Sequence, residues 1–362
     1  MTSRSVVFAE PVRTAIGTFG GSLKDVPAPA LGATAIRAAV GRAGIRPDEV
    51  ETVVMGNVVQ AGTKMNSARQ AAVHAGLPVT TPALTVNRVC GSGAQAIVSA
   101  AQEIALGNID VAVAGGMENM DLAPYLVPRA RWGHRMGDGQ LYDSVLRDGL
   151  NDAFSDAHSG WHTEDLVEKY QVTRDAQDRW ALRSQQLFAS AQAAGHFTVQ
   201  IVPVEIPGKK GPMQFDKDEH NRPDTTLETL ARLKPAFRPN GTITAGNAPG
   251  LNDAAAAMVI TDKTWAEKHG VAATARLVAY GIAAVEPACS ASDPFRQSNK
   301  RCSVPDGRFV LSSASRSMKL SPRLRSSSPA NSDSPTISSM WKVARSPTVI
   351  RSAPRARCLP PN

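Results

Sequence analysis

The sequence predicts an α/β fold, and three observations lead to this prediction. The 362 residues are 42% apolar and 20% charged, which is ordinary for a protein with a sizeable buried core. Short runs rich in β-branched residues alternate with segments of helical periodicity, as in layered folds with a largely parallel sheet. No apolar run in the sequence approaches the roughly 18 residues that span a bilayer. We therefore expect a layered α/β/α unit and no membrane-spanning segment.

The first 118 residues alternate strands with helices in a regular order. Apolar periodicity defines each element, and Gly and Pro residues mark the turns between them. We predict strands over residues 5–9, 50–54, 82–89 and 109–114, and helices over residues 29–42, 67–75 and 94–106. This succession is typical of one layered unit.

The pattern changes after Met117. Long loops surround one clear helix over residues 175–194, which Thr173 is placed to cap. The chain is expected to return to the sheet near Thr242 and to begin a helix at Asp253. A strand over residues 275–282 is expected to start a further unit. We therefore divide the body into a first unit (1–118 with 242–272), a loop domain (119–241) and the start of an incomplete second unit (273–287).

The last 75 residues have a different composition. Residues 288–362 contain 18 Ser and 9 Pro but no Glu or His, and they carry 13 Lys+Arg against 3 Asp+Glu. The first 287 residues carry 27 against 29, so the net charge of +8 comes from this tail. Such a segment cannot bury enough apolar surface to offset its ordering entropy, and we expect it to be disordered. A basic Ser/Pro tail also fits a nucleic-acid-binding arm, which stays open as an alternative.

Cysteine usage and the N-terminus indicate a reducing cytoplasm. Four cysteines in so long a chain do not make a disulfide framework, and no pair has the spacing of a zinc site. The N-terminus lacks the basic start, apolar stretch and cleavage site of a secretory signal. We expect neither a metal nor a permanently bound cofactor.

Cys90 is the strongest candidate for a catalytic residue. It stands between a predicted strand and a predicted helix, in the segment Asn-Arg-Val-Cys-Gly-Ser-Gly of residues 87–93. A thiol at a helix N-terminus faces free N–H groups and the positive end of the helix dipole, which stabilise a thiolate. The glycines after it let a substrate carbonyl approach the backbone. The pattern fits a covalent nucleophile, and a buried structural cysteine is the alternative.

The same segment contains a false signal for dinucleotide binding. Gly91-x-Gly93-x-x-Ala96 follows a strand and opens a helix, as that fingerprint requires. The fingerprint also needs an acidic residue at the end of the next strand, which here ends in Gly115. A nicotinamide site is therefore disfavoured. Glu118, a little further on, is interpreted as structural.

Five segments, in this order and spacing, resemble the thiolase family. They are Arg-Thr-Ala-Ile-Gly at 13–17, Ala-Arg-Gln-Ala-Ala at 68–72, the cysteine segment at 87–93, Gly-Gly-Met-Glu at 115–118 and Thr-Ala-Gly-Asn-Ala-Pro-Gly-Leu-Asn-Asp at 244–253. The resemblance extends over residues 1 to about 287. It implies a thiolase-like layered α/β/α fold and reversible Claisen chemistry on coenzyme A (CoA) thioesters. Such chemistry either condenses two acyl-CoA molecules or cleaves a 3-ketoacyl-CoA with free CoA.

The resemblance also implies roles for individual residues. The cysteine at the position of Cys90 is acylated in such proteins, and the loop region holds the nucleotide and pantetheine of CoA, a substrate. The residues at CoA-contacting positions are His158, Arg222, Phe237, Ala245 and Leu251, with Leu150 and Gly246 as weaker candidates. Arg222 suits the phosphates. Pro249 stands where biosynthetic members carry a serine that contacts the pantetheine.

The resemblance ends at Pro287. Thiolases continue into a second copy of the first unit with Asn-Glu-Ala-Phe, Gly-His-Pro and Cys-x-Gly-Gly-Gly segments, and none of these is in the sequence. Those segments supply the base, the acid/base cysteine and the oxyanion donors. The first hypothesis is a cytoplasmic, homo-oligomeric thiolase-type acyltransferase. The alternatives are an inactive, truncated or frameshifted thiolase that at most binds acyl-CoA, and a protein that binds nucleic acid through its tail.

Overall fold

The computed structural model describes residues 4–209 and 211–282, together with Ala284 and Pro287. The basic tail over residues 288–362, with its predicted disorder, lies outside the described residues. The described strands are β1 (Val6–Thr14), β2 (Gly17–Thr18), β3 (Thr52–Gly56), β4 (Ala83–Val86), β5 (Val111–Glu118), β6 (Tyr125–Leu126), β7 (Tyr142–Asp143), β8 (Ile201–Val202), β9 (Val204–Ile206), β10 (Met213–Phe215), β11 (Asn252–Asp262) and β12 (Ala275–Arg276). The described helices are α1 (Ala28–Ala43), α2 (Ser67–His74), α3 (Ser92–Leu106), α4 (Ser159–Lys169), α5 (Arg174–Ala193), α6 (Leu227–Ala231) and α7 (Lys263–His269).

One mixed sheet organises the body. Its main path runs β12-β1-β11-β5-β3-β4, while β2 pairs with β11 and β8 pairs with β1. Pairing is parallel between β5, β3 and β4, as the sequence led us to expect. It is antiparallel between β12, β1, β11 and β5. The α/β fold class is confirmed, with parallel pairing confined to one half of the main path.

Helices cover both faces of this sheet. Leu31 and Ile36 of α1 and Ala71 of α2 belong to the apolar core on one face. Ile97 and Ile104 of α3 belong to the core on the other face. The three layers place the N-terminus of α3 at the end of β4, where the sequence predicts the candidate nucleophile.

β11 is the main correction to the sequence-based elements. Residues from Asp253 onward were expected to form a helix, because four alanines in succession favour one. The segment is instead an eleven-residue strand between β1 and β5, and β11 contributes to the apolar cores on both faces. Burial between two neighbouring strands overrides the local helical propensity, and the small side chains let α1 pack closely on the sheet.

Two other expectations fail near the end of the body. No strand forms at Thr242, and only an isolated bridge joins Pro235 to Thr244. The strand expected over residues 275–282 is limited to Ala275–Arg276, which pairs with β1 at the edge of the first sheet. The proposed division into domains stays a prediction. None of the helices in the described part of the chain combines the length and apolar character that a bilayer crossing requires.

Candidate active site

Cys90 lies in the turn between β4 and α3. The strand ends at Val86 and the helix begins at Ser92, so only five residues make the connection. The cysteine is exposed and carries a free thiol. A reagent or substrate can therefore reach the sulfur at the N-terminal end of a fifteen-residue helix.

The turn depends on a close approach between β3 and α3. A Cβ atom on Gly56, the last residue of β3, would lie 2.7 Å from Cβ of Ser92 and 2.8 Å from the backbone nitrogen of Gly93. Only a residue without a side chain fits there. The absence of a side chain at Gly56 thus sets how closely the N-terminus of α3 sits against the sheet.

Glu118 is the last residue of β5. Its carboxylate accepts hydrogen bonds from the side chain of Asn57 at 2.7 Å, and from the backbone N–H groups of Val58 at 2.8 Å and Val59 at 3.2 Å. Burial raises the pKa of Glu118 to about 7, and the three donors oppose that rise. The donors fix the loop that follows β3, which supports the structural interpretation of this residue.

His158 and Phe237 form an aromatic pair in the loop region. Their ring centroids lie 4.7 Å apart and the planes differ by 21°. Nδ1 of His158 accepts a hydrogen bond from the N–H of Gly160 at 3.0 Å, which places the proton of the neutral ring on Nε2. Burial lowers the pKa of His158 and favours this neutral form. A Cβ on Gly160 would lie 2.5 Å from the Phe237 ring, so the pair depends on a glycine there.

The sequence of this body carries a family signature along most of its length. The sequence model of the family described as "Thiolase, N-terminal domain" matches residues 6–264. The chain belongs to the thiolase family. The resemblance stated from the sequence motifs is thereby confirmed.

Individual thiolases are similar to this chain over the same extent. The beta-ketothiolase BktB of Cupriavidus necator is 52% identical over 287 residues, which cover 79% of this chain and 73% of the relative. An acetyl-CoA acetyltransferase of Pseudomonas aeruginosa is 48% identical over 80% of this chain and 74% of its own length. The crystal structure of the Bacillus anthracis acetyl-CoA acetyltransferase superposes with a TM-score of 0.80 at 43% identity, covering 82% of this chain and 75% of that one. The similarity thus spans about three quarters of the length of these thiolases.

Hydrogen bonds link the segments that carry two of the predicted CoA-contacting residues of this thiolase, His158 and Ala245. Glu164 of α4 accepts hydrogen bonds from the N–H groups of Thr242 and Ile243, at 2.9 and 2.8 Å. This contact holds the helix that begins after His158 against the segment that carries Ala245. Gly246 is closely surrounded, since a Cβ there would lie 2.5 Å from side-chain atoms of Leu230 and Leu233 of α6 and just after it.

Arg222 and Leu251 lie in a second group. Arg222 is exposed, and the nearby His220 places Nδ1 3.1 Å from Nδ2 of Asn252, next to Leu251. Burial and the charge of Arg222 lower the pKa of His220. Within the described residues, no hydrogen bond, ion pair or ring contact joins Cys90, Arg222, Ala245 or Leu251 to the His158–Phe237 pair. Leu150 ends a short π-helix, Val145–Leu150, and Pro249 is exposed.

Sequence reasoning missed two features of this thiolase. The sequence analysis gives His220 no role, although its position two residues before Arg222 is an available signal. The contact between Asp253 and the loop after β5, whose Met120 N–H donates to Asp253 at 2.7 Å, had no sequence signal because long stretches of chain separate the partners. No trio of His, Cys, Asp or Glu side chains in the described part of the chain is arranged to hold a metal ion.

Proposed function

We propose that this chain carries out the first half of a thiolase-type acyl transfer, in which Cys90 takes up the acyl group of a CoA thioester. The observation that carries the proposal is the exposed Cys90 thiol at the N-terminal end of α3. A solvent-accessible thiol at the positive end of a helix is a suitable covalent nucleophile. The names of the relatives, acetyl-CoA acetyltransferase and beta-ketothiolase, support the same chemistry.

The transfer would form one bond and break one. The Cys90 thiolate attacks the thioester carbonyl, and the tetrahedral intermediate collapses with loss of the CoA thiolate, which takes a proton. The acyl group is then bound to the cysteine sulfur and passes to a second acceptor. That acceptor is free CoA in the reverse of the first step. A Claisen condensation would also need a base to take the α-proton of a second acyl-CoA, and the family segments that supply this base are not in the sequence.

The loop region supports CoA as the ligand. The neutral His158 ring and Phe237 offer an apolar stacked surface with an N–H at Nε2, and the exposed guanidinium of Arg222 suits a phosphate. Ala245, on the segment that Glu164 holds, and Leu251, next to Asn252, complete the proposed contact set. These assignments follow the family positions, and the supporting elements described above are compatible with them.

The test is acyl transfer to the full-length chain. The protein is incubated with acetyl-CoA, quenched in acid and digested, and the four cysteine peptides are compared by mass spectrometry. We expect one acetyl group on the Cys90 peptide, none on the peptides of Cys289, Cys302 and Cys358, and no stable acetylation of a Cys90→Ala variant.

A parallel alkylation experiment separates the alternatives. If acetylation fails but CoA protects Cys90 from iodoacetamide, the chain is the inactive CoA-binding relative. If CoA neither transfers an acyl group nor protects Cys90, the proposed function is wrong.

A further inference from the structure

The residue before the candidate nucleophile has an unfavourable backbone conformation. Val89 has a φ of +47°, a left-handed value that is an outlier for a β-branched residue. Its side chain is half exposed, so burial of the isopropyl group does not force this geometry. Other contacts must hold the turn, because an unsupported valine would relax to a negative φ.

Two side chains form hydrogen bonds with the backbone of Val89, one with its N–H and one with its C=O. Oδ1 of Asn87 accepts a hydrogen bond from the Val89 N–H at 2.9 Å. The hydroxyl of Ser92 donates to the Val89 carbonyl at 2.6 Å and accepts from the Arg88 N–H at 2.8 Å. Thus both the N–H and the C=O of the strained residue have a side-chain partner.

Each of the two side chains is anchored elsewhere. Nδ2 of Asn87 donates to the Val58 carbonyl at 3.3 Å, and the Val58 N–H donates to Glu118. Ser92 is buried against Gly56, the close approach described above. Through these contacts, the two side chains that bind Val89 are connected to β3 and β5 of the central sheet.

We propose that Asn87 and Ser92 are positioning residues, which hold Val89 in the left-handed conformation and so keep Cys90 at the N-terminal end of α3. The inference rests on the proposed function in one respect, since it takes Cys90 as the nucleophile. It adds that the reactivity of Cys90 depends on the conformation of the preceding residue.

A glycine at position 89 supplies the decisive test. Glycine adopts a positive φ at no steric cost. A Val89→Gly chain therefore no longer needs the hydrogen bonds of Asn87 and Ser92 to keep this conformation. If Asn87 acts by holding Val89, then Val89→Gly will rescue Asn87→Ala. If Asn87 merely supports the fold, the same glycine will not help.

The experiment measures the alkylation rate of Cys90 by iodoacetamide in the full-length chain. Cys289, Cys302 and Cys358 serve as internal references in the same sample, and peptide mapping assigns the label. The set comprises wild type, Asn87→Ala, Ser92→Ala, Val89→Gly and the two double variants with Val89→Gly. Asn108→Ala is the matched control, because Asn108 is an exposed asparagine at the opposite end of the same helix.

We expect Asn87→Ala and Ser92→Ala each to slow Cys90 alkylation about 2- to 10-fold relative to the references, the range that one net hydrogen bond supplies. Each double variant should react within about twofold of Val89→Gly alone, and Asn108→Ala should match wild type. If a single variant fails to fold, its double variant should fold and react like Val89→Gly.

Wild-type rates for both single variants, or double variants that fold but stay slow or do not fold at all, would overturn the inference. The wild-type sample decides the proposed function separately. If Cys90 is not the preferred thiol there, the nucleophile assignment fails whatever the variants do.

Discussion

Asp253 shows how one buried side chain can couple the stability of this thiolase to pH. It is fully buried, its Oδ1 accepts from the Met120 N–H, and its Oδ2 has no hydrogen-bond partner among the described residues. Burial, followed by the neighbouring carboxyl of Asp121, disfavours the charged form and raises the pKa of Asp253 to about 7. Asp121 itself accepts from the Gly20 N–H, so the two carboxyls lie where two loops meet β11.

Asp253→Asn should remove part of the pH dependence of stability. In an acid with a raised folded-state pKa, the folded protein keeps a proton that the unfolded chain releases near pH 4, so stability falls as pH rises to about 7. Asparagine cannot ionise and its amide can donate to Asp121. Urea unfolding at pH 5, 6, 7 and 8 should show the variant gaining on wild type as pH rises, since each unit of pKa shift corresponds to about 1.4 kcal/mol. Glu118 contributes the same slope to both proteins, and a difference that stays constant with pH would contradict the prediction.

Arg222→Ala should weaken CoA binding while leaving binding of a short pantetheine thioester nearly unchanged. A guanidinium matched to phosphate acts on the nucleotide end of the ligand, and a charge-assisted contact contributes roughly 1.5 to 3 kcal/mol. Titration calorimetry with both ligands measures the two affinities. Equal losses for both would show that the substitution disturbs the fold instead, and Arg179→Ala on the exposed surface of α5 is the control.

At the scale of elements, acidic side chains of the loop region bind other segments of the chain through ion pairs and hydrogen bonds. Asp218 forms a bidentate ion pair with Arg13 at 2.7 and 2.8 Å and also accepts from the Ile16 N–H. Glu164 likewise joins α4 to the backbone at Thr242 and Ile243, in a segment outside the sheet. The Arg13 segment is one of the family motifs, and its conformation is thus fixed by a carboxylate some two hundred residues away in the chain.

Breaking the Arg13–Asp218 ion pair should destabilise the attachment of the loop region to β1 and so lower the stability of the protein. Both side chains are almost completely buried, and removing one partner of such a pair typically costs about 3 to 5 kcal/mol because the other charge is left uncompensated. Arg13→Ala and Asp218→Ala should each lower the urea midpoint strongly, and the double variant should lose less than the sum of the two. Arg179→Ala, from the exposed pair with Asp175, should change little. Additive losses would argue against a coupled pair.

The sequence could predict the elements that depend on local residues, but not those that depend on residues distant in the chain. Strands β1, β3 and β5 and helices α1, α2 and α3 follow local periodicity and turn residues, and the Thr173 cap of α5 is confirmed by its hydrogen bond from Ala176. The position of Cys90 between a strand and a helix could be predicted because the strand, the glycines and the helix are contiguous. β11 and the Asn87–Val58 contact could not, because each depends on neighbours distant in sequence that override or supplement local preference.

At the scale of the whole molecule, the composition changes near the point where the family motifs stop. The similarity spans about three quarters of the length of known thiolases, and the composition shifts to Arg, Ser and Pro after Pro287. The family segments that supply the base, the second cysteine and the oxyanion donors are not in the sequence after that point. A GC-rich gene read out of frame would produce such a shift.

We predict that residues from about 288 onward are the product of a shifted reading frame and that this chain does not turn over. One of the other two frames downstream of codon 287 should encode Asn-Glu-Ala, Gly-His-Pro and Cys-x-Gly-Gly-Gly in that order. A chain with the frame restored should cleave acetoacetyl-CoA, while this chain should not, since a single oxyanion donor contributes about 100- to 1000-fold in acyl-transfer enzymes. If neither frame encodes the segments, or the purified chain shows thiolysis, the prediction is wrong.

The position of β11 between β1 and β5 also determines when the sheet can close during synthesis. β1 is made first and β5 is complete by residue 118, but the strand that joins them begins only at residue 252. Until then the facing edges of β1 and β5 have no partner strand, and such edges are the surfaces most prone to wrong pairing. Pairing over such sequence distances is also slow. Nascent chains released before residue 262 should therefore aggregate or recruit chaperones, even though most of the helices are already complete.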